Sequence, residues 1–146
     1  MKINPKNGID KLIFGMKQND VTAIYGKPDR NYKDEENNVI FAYNKLKMRL
    51  TFYQEEELKL GYIVASGIDL ELFGNKIINK KISDVKKELA LKGITKFTQE
   101  EFDTFENYFN EENWIIFQTE FNEIVKLEIG AIINNKDEFD WKFGKK

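Results

Sequence analysis

The chain has no cysteine and no histidine. Without cysteine there is no disulfide framework, no thiolate metal site and no cysteine nucleophile. Without histidine the commonest general base and the commonest transition-metal ligand are missing, which excludes zinc hydrolysis and any histidine-based triad. No apolar run approaches membrane-spanning length, and Met1-Lys2-Ile3-Asn4-Pro5-Lys6 has no signal-peptide core, so a cytoplasmic location without membrane attachment is expected. The nine glycines are scattered at turn positions and build no phosphate-cradling loop. No cofactor and no metal are expected.

What remains is an ordinary globular composition. A chain of 146 residues with 41% hydrophobic and 33% charged residues can bury a real core, so residues 1–146 are expected to form a single domain. Ile9, Leu12, Ile13 and Phe14 open it as a short apolar segment ending at Gly15. The pattern predicts a helix over Gln18 to Tyr25, buried through Val21, Ile24 and Tyr25 and stopped by Gly26 and Pro28. Strands are expected over Val39–Tyr43, Met48–Tyr53 and Leu58–Val64, with turns at residues 34–38 and 54–57. Residues 67–79 connect this unit to a second one of the same kind. There a helix runs from Ser83, as cap, to about Leu91, with Val85 and Leu89 inward, and ends at Gly93. Strands follow over about Thr104–Phe109, Trp114–Phe121 and Glu123–Ile132.

Neither unit is large enough to bury its apolar face alone. The expected fold is therefore α+β: two α-β-β-β repeats, residues 9–66 and 74–133, forming one curved antiparallel sheet with both helices on one face. Alternation places Met48, Leu50 and Phe52 on the core side and Arg49, Thr51 and Tyr53 on the other. It also assigns Leu58, Leu60, Tyr62 and Val64, and Val125, Leu127 and Ile129, to the core, with Ile124, Lys126 and Glu128 facing away.

Phe14-Gly15-Met16, the short helix and Gly26-Lys27-Pro28-Asp29 resemble the opening of the tandem helix-plus-meander proteins, the superfamily of the beta-lactamase inhibitor protein and the outer-membrane assembly lipoprotein. The segment Leu72-Phe73-Gly74-Asn75-Lys76-Ile77-Ile78 and the ending Leu127-Glu128-Ile129-Gly130 are similar to small bacterial proteins proposed as immunity partners of secreted toxins. The resemblance spans about residues 9 to 141. It implies a non-enzymatic protein that binds another protein on the open sheet face, and it carries no catalytic residues.

Charge is segregated along the chain. From Lys76 to Lys96 seven lysines stand against Asp84 and Glu88, whereas from Phe97 to Asp140 two lysines stand against three aspartates and nine glutamates. An acidic second meander would steer a basic partner such as a toxin domain and would repel nucleic acid. The expected partner-binding residues are Glu100, Glu101, Glu106, Glu111, Glu112 and Glu120 for attraction, with Tyr53 and Trp114 as anchors and Arg49 beside Tyr53. Tyr108 is a further candidate for the exposed face. The paired glutamates at 55–57, 100–101 and 111–112 lie side by side in polar turns, a poor arrangement for a glycosidase, which needs two carboxyls across a cleft. Asp34-Glu35-Glu36 and Asp137-Glu138-Asp140 lack the glycine and terminal glutamate of a calcium loop. Two other readings stay open, a scaffolding domain that binds a peptide or envelope protein and an enzyme using carboxylates alone.

Overall fold

The computed structural model describes residues 1–144. Three short strands open it: β1 (Lys2–Asn4), β2 (Gly8–Ile9) and β3 (Leu12–Ile13). Helix α1 (Gln18–Tyr25) is followed by β4 (Arg30–Lys33), β5 (Val39–Tyr43), β6 (Met48–Tyr53) and β7 (Lys59–Ala65). The connector holds β8 (Glu71–Leu72) and β9 (Asn75–Lys76). Helix α2 (Ile82–Ala90) then leads into β10 (Thr98–Glu101), β11 (Glu106–Asn110), β12 (Ile115–Glu120) and β13 (Glu123–Gly130). The fold is α+β, with an eight-stranded antiparallel sheet ordered β10-β11-β12-β13-β7-β6-β5-β4 and a small sheet ordered β3-β2-β1-β8-β9. Four strands follow each helix, one more than expected, because β4 and β10 are short, polar edge strands without an apolar stripe.

Both helices are short, and their ends are set by local chemistry. The Asp20 carboxylate accepts the Lys17 N–H at 2.9 Å, and Gly26, at φ 78°, closes α1 in a conformation that favours glycine. Ser83 is not the cap of α2. The helix starts one residue earlier, and the Ile82 N–H donates to the Asn122 carbonyl at 2.9 Å, so the β12–β13 turn supplies the acceptor. Val21 of α1 and Ile82, Val85 and Leu89 of α2 enter one core with Leu50, Phe52, Ile63, Phe117, Leu127 and Ile129.

The two halves of the large sheet share their pairing registers. The first residue of β4 faces the fourth of β5 (Arg30 with Ala42), as the first of β10 faces the fourth of β11 (Thr98 with Phe109). Val39 faces Phe52 as Glu106 faces Thr119. One extra residue bulges from the last strand of each half, at Gly61 between Leu60 and Tyr62 and at Val125 between Ile124 and Lys126. Backbone bonds hold Gly15 and Met16 to Leu60, and Asn79 and Lys80 to Ile124, in the same pattern.

The bulges correct the face assignments. A bulged residue shifts the alternation by one, so Leu60 faces the core but Tyr62 and Val64 turn outward, and Ile63 and Ala65 take the core positions. In β13 the same shift buries Ile124 completely and leaves Val125 half-buried.

Candidate functional site

The sheet face opposite the helices is built from cross-strand rows. One row reads Thr98, Phe109, Ile116, Glu128, Val64, Arg49, Ala42 and Arg30. The neighbouring row carries Tyr32, Ile40, Thr51, Tyr62 and Gly130. Phe109, Ile116, Tyr62 and Val64 are partly exposed there and lie outside the core.

Glycine 130 decides how the aromatics lie. A Cβ at this position would run into the Trp114 indole, so only glycine lets the ring come this close to the backbone, with Tyr62 beside it. Phe109 meets Trp114 edge-on at 5.0 Å. Trp114 therefore belongs to the open face, at a turn residue with φ 50° just before β12. The Tyr62 hydroxyl donates to the Glu128 carboxylate at 2.6 Å. Burial, then that bond and the negative charge behind it, raise the Tyr62 phenol well above its ordinary range.

Tyr53 is not the free anchor that alternation suggests. The segment after β13 returns across this corner, with Ala131 bonded to the Gly61 carbonyl and Lys142 and Phe143 to the Phe14 carbonyl. Phe139 of that segment packs on Tyr53 at 5.6 Å and stacks on Trp141 at 4.8 Å. Burial, with a smaller contribution from the Glu36 charge, pushes the Tyr53 phenol up to about 12. Tyr108 also leaves the exposed set. It pairs with Phe117 on the helix side, is buried, and lies under the Lys86 ammonium.

The glutamates split into separate groups. Glu100 is exposed next to Asn107 on the open face, while Glu101 and Glu106 point to the helix side. The Glu106 carboxylate is occupied by the Gln99 amide at 2.6 Å and the Tyr108 hydroxyl at 2.9 Å. Glu120 sits at the same end of β12, whereas Glu111 and Glu112 lie in the turn at its other end. A six-residue strand separates these ends by roughly 17 Å. Beside Glu101 and Glu120 an apolar tip projects, where Phe102 stacks on Phe105 at 4.5 Å and Phe121 is 99% exposed. Phe121 was hidden in the sequence because it reads as the end of an apolar strand.

Arg49 lies in different company from that expected. Arg30, Tyr32, Ala42, Lys47, Arg49, Val64 and Lys126 are among the residues lining an open hollow of about 400 Å³ on this face. Arg30 and Arg49 are the only arginines in the chain, which has 23 lysines and arginines in total. Among the described residues no carboxylate is buried, and no three acids gather in a way that would hold a metal ion.

No family model matches the chain, and no curated protein matches it. A solved structure with a similar fold is an extracellular protein containing a SCP domain from Bacillus anthracis str. Ames. The likeness has a TM-score of 0.53 at 16% identity and covers 80% of this chain and 43% of that one. It extends to the fold alone. The chain spans less than half the length of that protein. No helix among the described residues is long and apolar enough to cross a membrane.

Proposed function

We propose that the chain is a non-enzymatic protein-binding module that docks its partner on the sheet face opposite the helices. One observation carries this reading: Phe109, Trp114, Ile116, Tyr62 and Val64 form a partly exposed apolar stripe there, outside the core. Among the described residues, the segment after β13 packs on the Tyr53 corner of this face through Phe139. Flat aromatic groups held by neighbours lose little side-chain entropy on binding and make effective anchors. The absence of buried acids among the described residues favours binding over carboxylate catalysis.

We read the two halves as copies of one helix-plus-four-strand unit. Support comes from the shared registers, the paired bulges and the matching bonds at Leu60 and Ile124. Such a duplication is the architecture that the resemblance to tandem helix-plus-meander proteins implies, and a bacterial immunity protein occluding a toxin is its concrete form. A second reading draws on the described extracellular character of the Bacillus anthracis protein, a module that binds an envelope or surface protein outside the cell. The neighbouring genes separate the two, since an immunity gene sits beside its toxin.

The test is capture of the partner from cells that encode the protein, using the wild type and a Trp114→Ala/Ile116→Asp variant. The variant should lose the partner, with binding weakened by roughly 100-fold, while its circular dichroism stays native. Undiminished capture by the folded variant would sink the reading.

A further inference from the structure

We propose that the hollow between Arg30 and Arg49 binds carboxylates of an acidic segment in a partner protein. The inference refines the docking reading above by assigning the chemistry of one part of the face. Arg30 and Arg49 stand in one cross-strand row with Ala42 between them. Strands two apart lie roughly 10 Å from each other, and the small Ala42 side chain leaves the gap unfilled. The two guanidinium groups stand on either side of Ala42, Val64 lies beyond Arg49 on β7, and these two apolar side chains line the hollow together with Lys47 and Lys126.

Three features point to an anion. First, none of these four cations has a carboxylate within ion-pair distance among the described residues, although the chain carries 25 acids. The nearest acid in sequence, Asp29, is turned to the Asn44 N–H, which it accepts at 2.7 Å. Four like charges around one hollow repel each other until an anion enters. Second, the Arg30 guanidinium lies over the Tyr32 ring, 4.8 Å from its centroid, a cation–π contact that helps to hold the group on this face. Third, all other basic residues are lysines, so the two planar forks of the chain have been placed at one site.

The form of the hollow selects the kind of anion. Its cations are spread over several strands, which suits a series of carboxylates better than a single small ion. Its apolar lining accepts the methylene groups of aspartate and glutamate side chains. A nucleic-acid backbone or an anionic membrane would have to extend past Glu128 and Glu100 on the same face, where the charge is reversed.

The test is an amide-resolved NMR titration of the full chain with a capped peptide of four glutamates between glycines. Controls are the same peptide with four glutamines, inorganic phosphate and a single-stranded oligonucleotide. The glutamate peptide should move the amides of Ala42, Arg49 and Val64, and the effect should weaken with salt. Arg30→Lys/Arg49→Lys keeps the charge but removes the forks, and should weaken binding roughly tenfold with the rest of the spectrum unchanged. Lys87→Gln/Lys92→Gln on and beyond α2 should leave it unaltered. Equal binding of the glutamine peptide, of phosphate or of the oligonucleotide, or indifference to the arginine changes, would overturn the proposal. If that happens while Trp114→Ala/Ile116→Asp still abolishes capture, only the carboxylate site falls and the docking face stands.

Discussion

At the scale of single residues, the open face contains two tyrosines that the fold keeps protonated. Tyr62 donates its proton to Glu128, so ionising it would set two anions against each other in a half-buried place. Tyr53 is shielded by Phe139, and burial holds its phenol up at about 12 against the ordinary value of 10.0. The sign of the linkage follows. In the unfolded chain both phenols ionise near their ordinary value, whereas in the folded chain they stay neutral to higher pH. For Tyr53 the contribution is complete well below pH 10, starts to fall near pH 10 and is lost as the pH rises through about 12, and the Tyr62 contribution is lost in the same direction. Urea midpoints measured at pH 8, 10 and 11 should therefore fall most in the last step. Tyr62→Phe should lower stability at pH 8 by about 1 kcal/mol, through loss of the Glu128 bond, and should flatten the alkaline fall. An alkaline fall as steep in Tyr62→Phe as in the wild type would assign it to other groups. The pairing of Tyr62 with Glu128 could not be read from the sequence, because alternation put Tyr62 inside.

At the scale of elements, regular alternation worked where strands are regular and failed where they bulge. Val39–Tyr43 and Met48–Tyr53 coincide with their expected ranges, and Met48, Leu50 and Phe52 face the core as expected. Strand β7 is apolar in both phases, with Leu60, Tyr62 and Val64 in one and Ile63 and Ala65 in the other, so the pattern held no information on where the phase changes. The edge strands were illegible for a different reason. Arg30-Asn31-Tyr32-Lys33 and Thr98-Gln99-Glu100-Glu101 each pair with a single neighbour and are largely solvated, so they carry no hydrophobic stripe. The bulge itself can be tested. Deleting Gly61 brings Leu60 and Ile63 to two positions apart, so regular alternation keeps Leu60, Ile63 and Ala65 on the core side, whereas deleting Val64 puts Ile63 and Ala65 in opposite phases and forces one of them out. The Val64 deletion should therefore cost about 3 kcal/mol or more, read as a large drop in urea midpoint, and the Gly61 deletion clearly less. A drop as large for the Gly61 deletion as for the Val64 deletion would show that the bulge does not set the phase of β7, and the face assignment would have to be abandoned.

At the scale of the whole molecule, β7 and β13 meet at the centre of the large sheet, which puts the basic hollow and the acidic tip on opposite halves. The charge segregation was legible in the sequence, but its geometry was not. Arg30 and Arg49 are brought together only because β4 and β6 flank β5, and the sequence pattern assigns residues 30–33 to no element. The acidic residues, close in sequence, are instead divided between the two ends of β12. This division allows a sharper test of electrostatic steering than a change in total charge. Glu101→Lys/Glu120→Lys alters the end that carries Phe102 and Phe121, while Glu111→Lys/Glu112→Lys makes the same change in net charge at the far turn. All four side chains are exposed, so neither pair should disturb folding. Association is accelerated by local fields at the contact region and dissociation is governed by contacts already made. If a basic partner surface meets the acidic, aromatic end, the first pair should slow association with the captured partner roughly tenfold at low salt and leave dissociation nearly unchanged. The second pair should have a much smaller effect, and added salt should bring the first variant and the wild type together. Equal slowing by both pairs would mean that net charge alone acts at a distance. No slowing by either would remove the acidic end from the docking surface and leave the aromatic stripe and the arginine hollow to account for recognition.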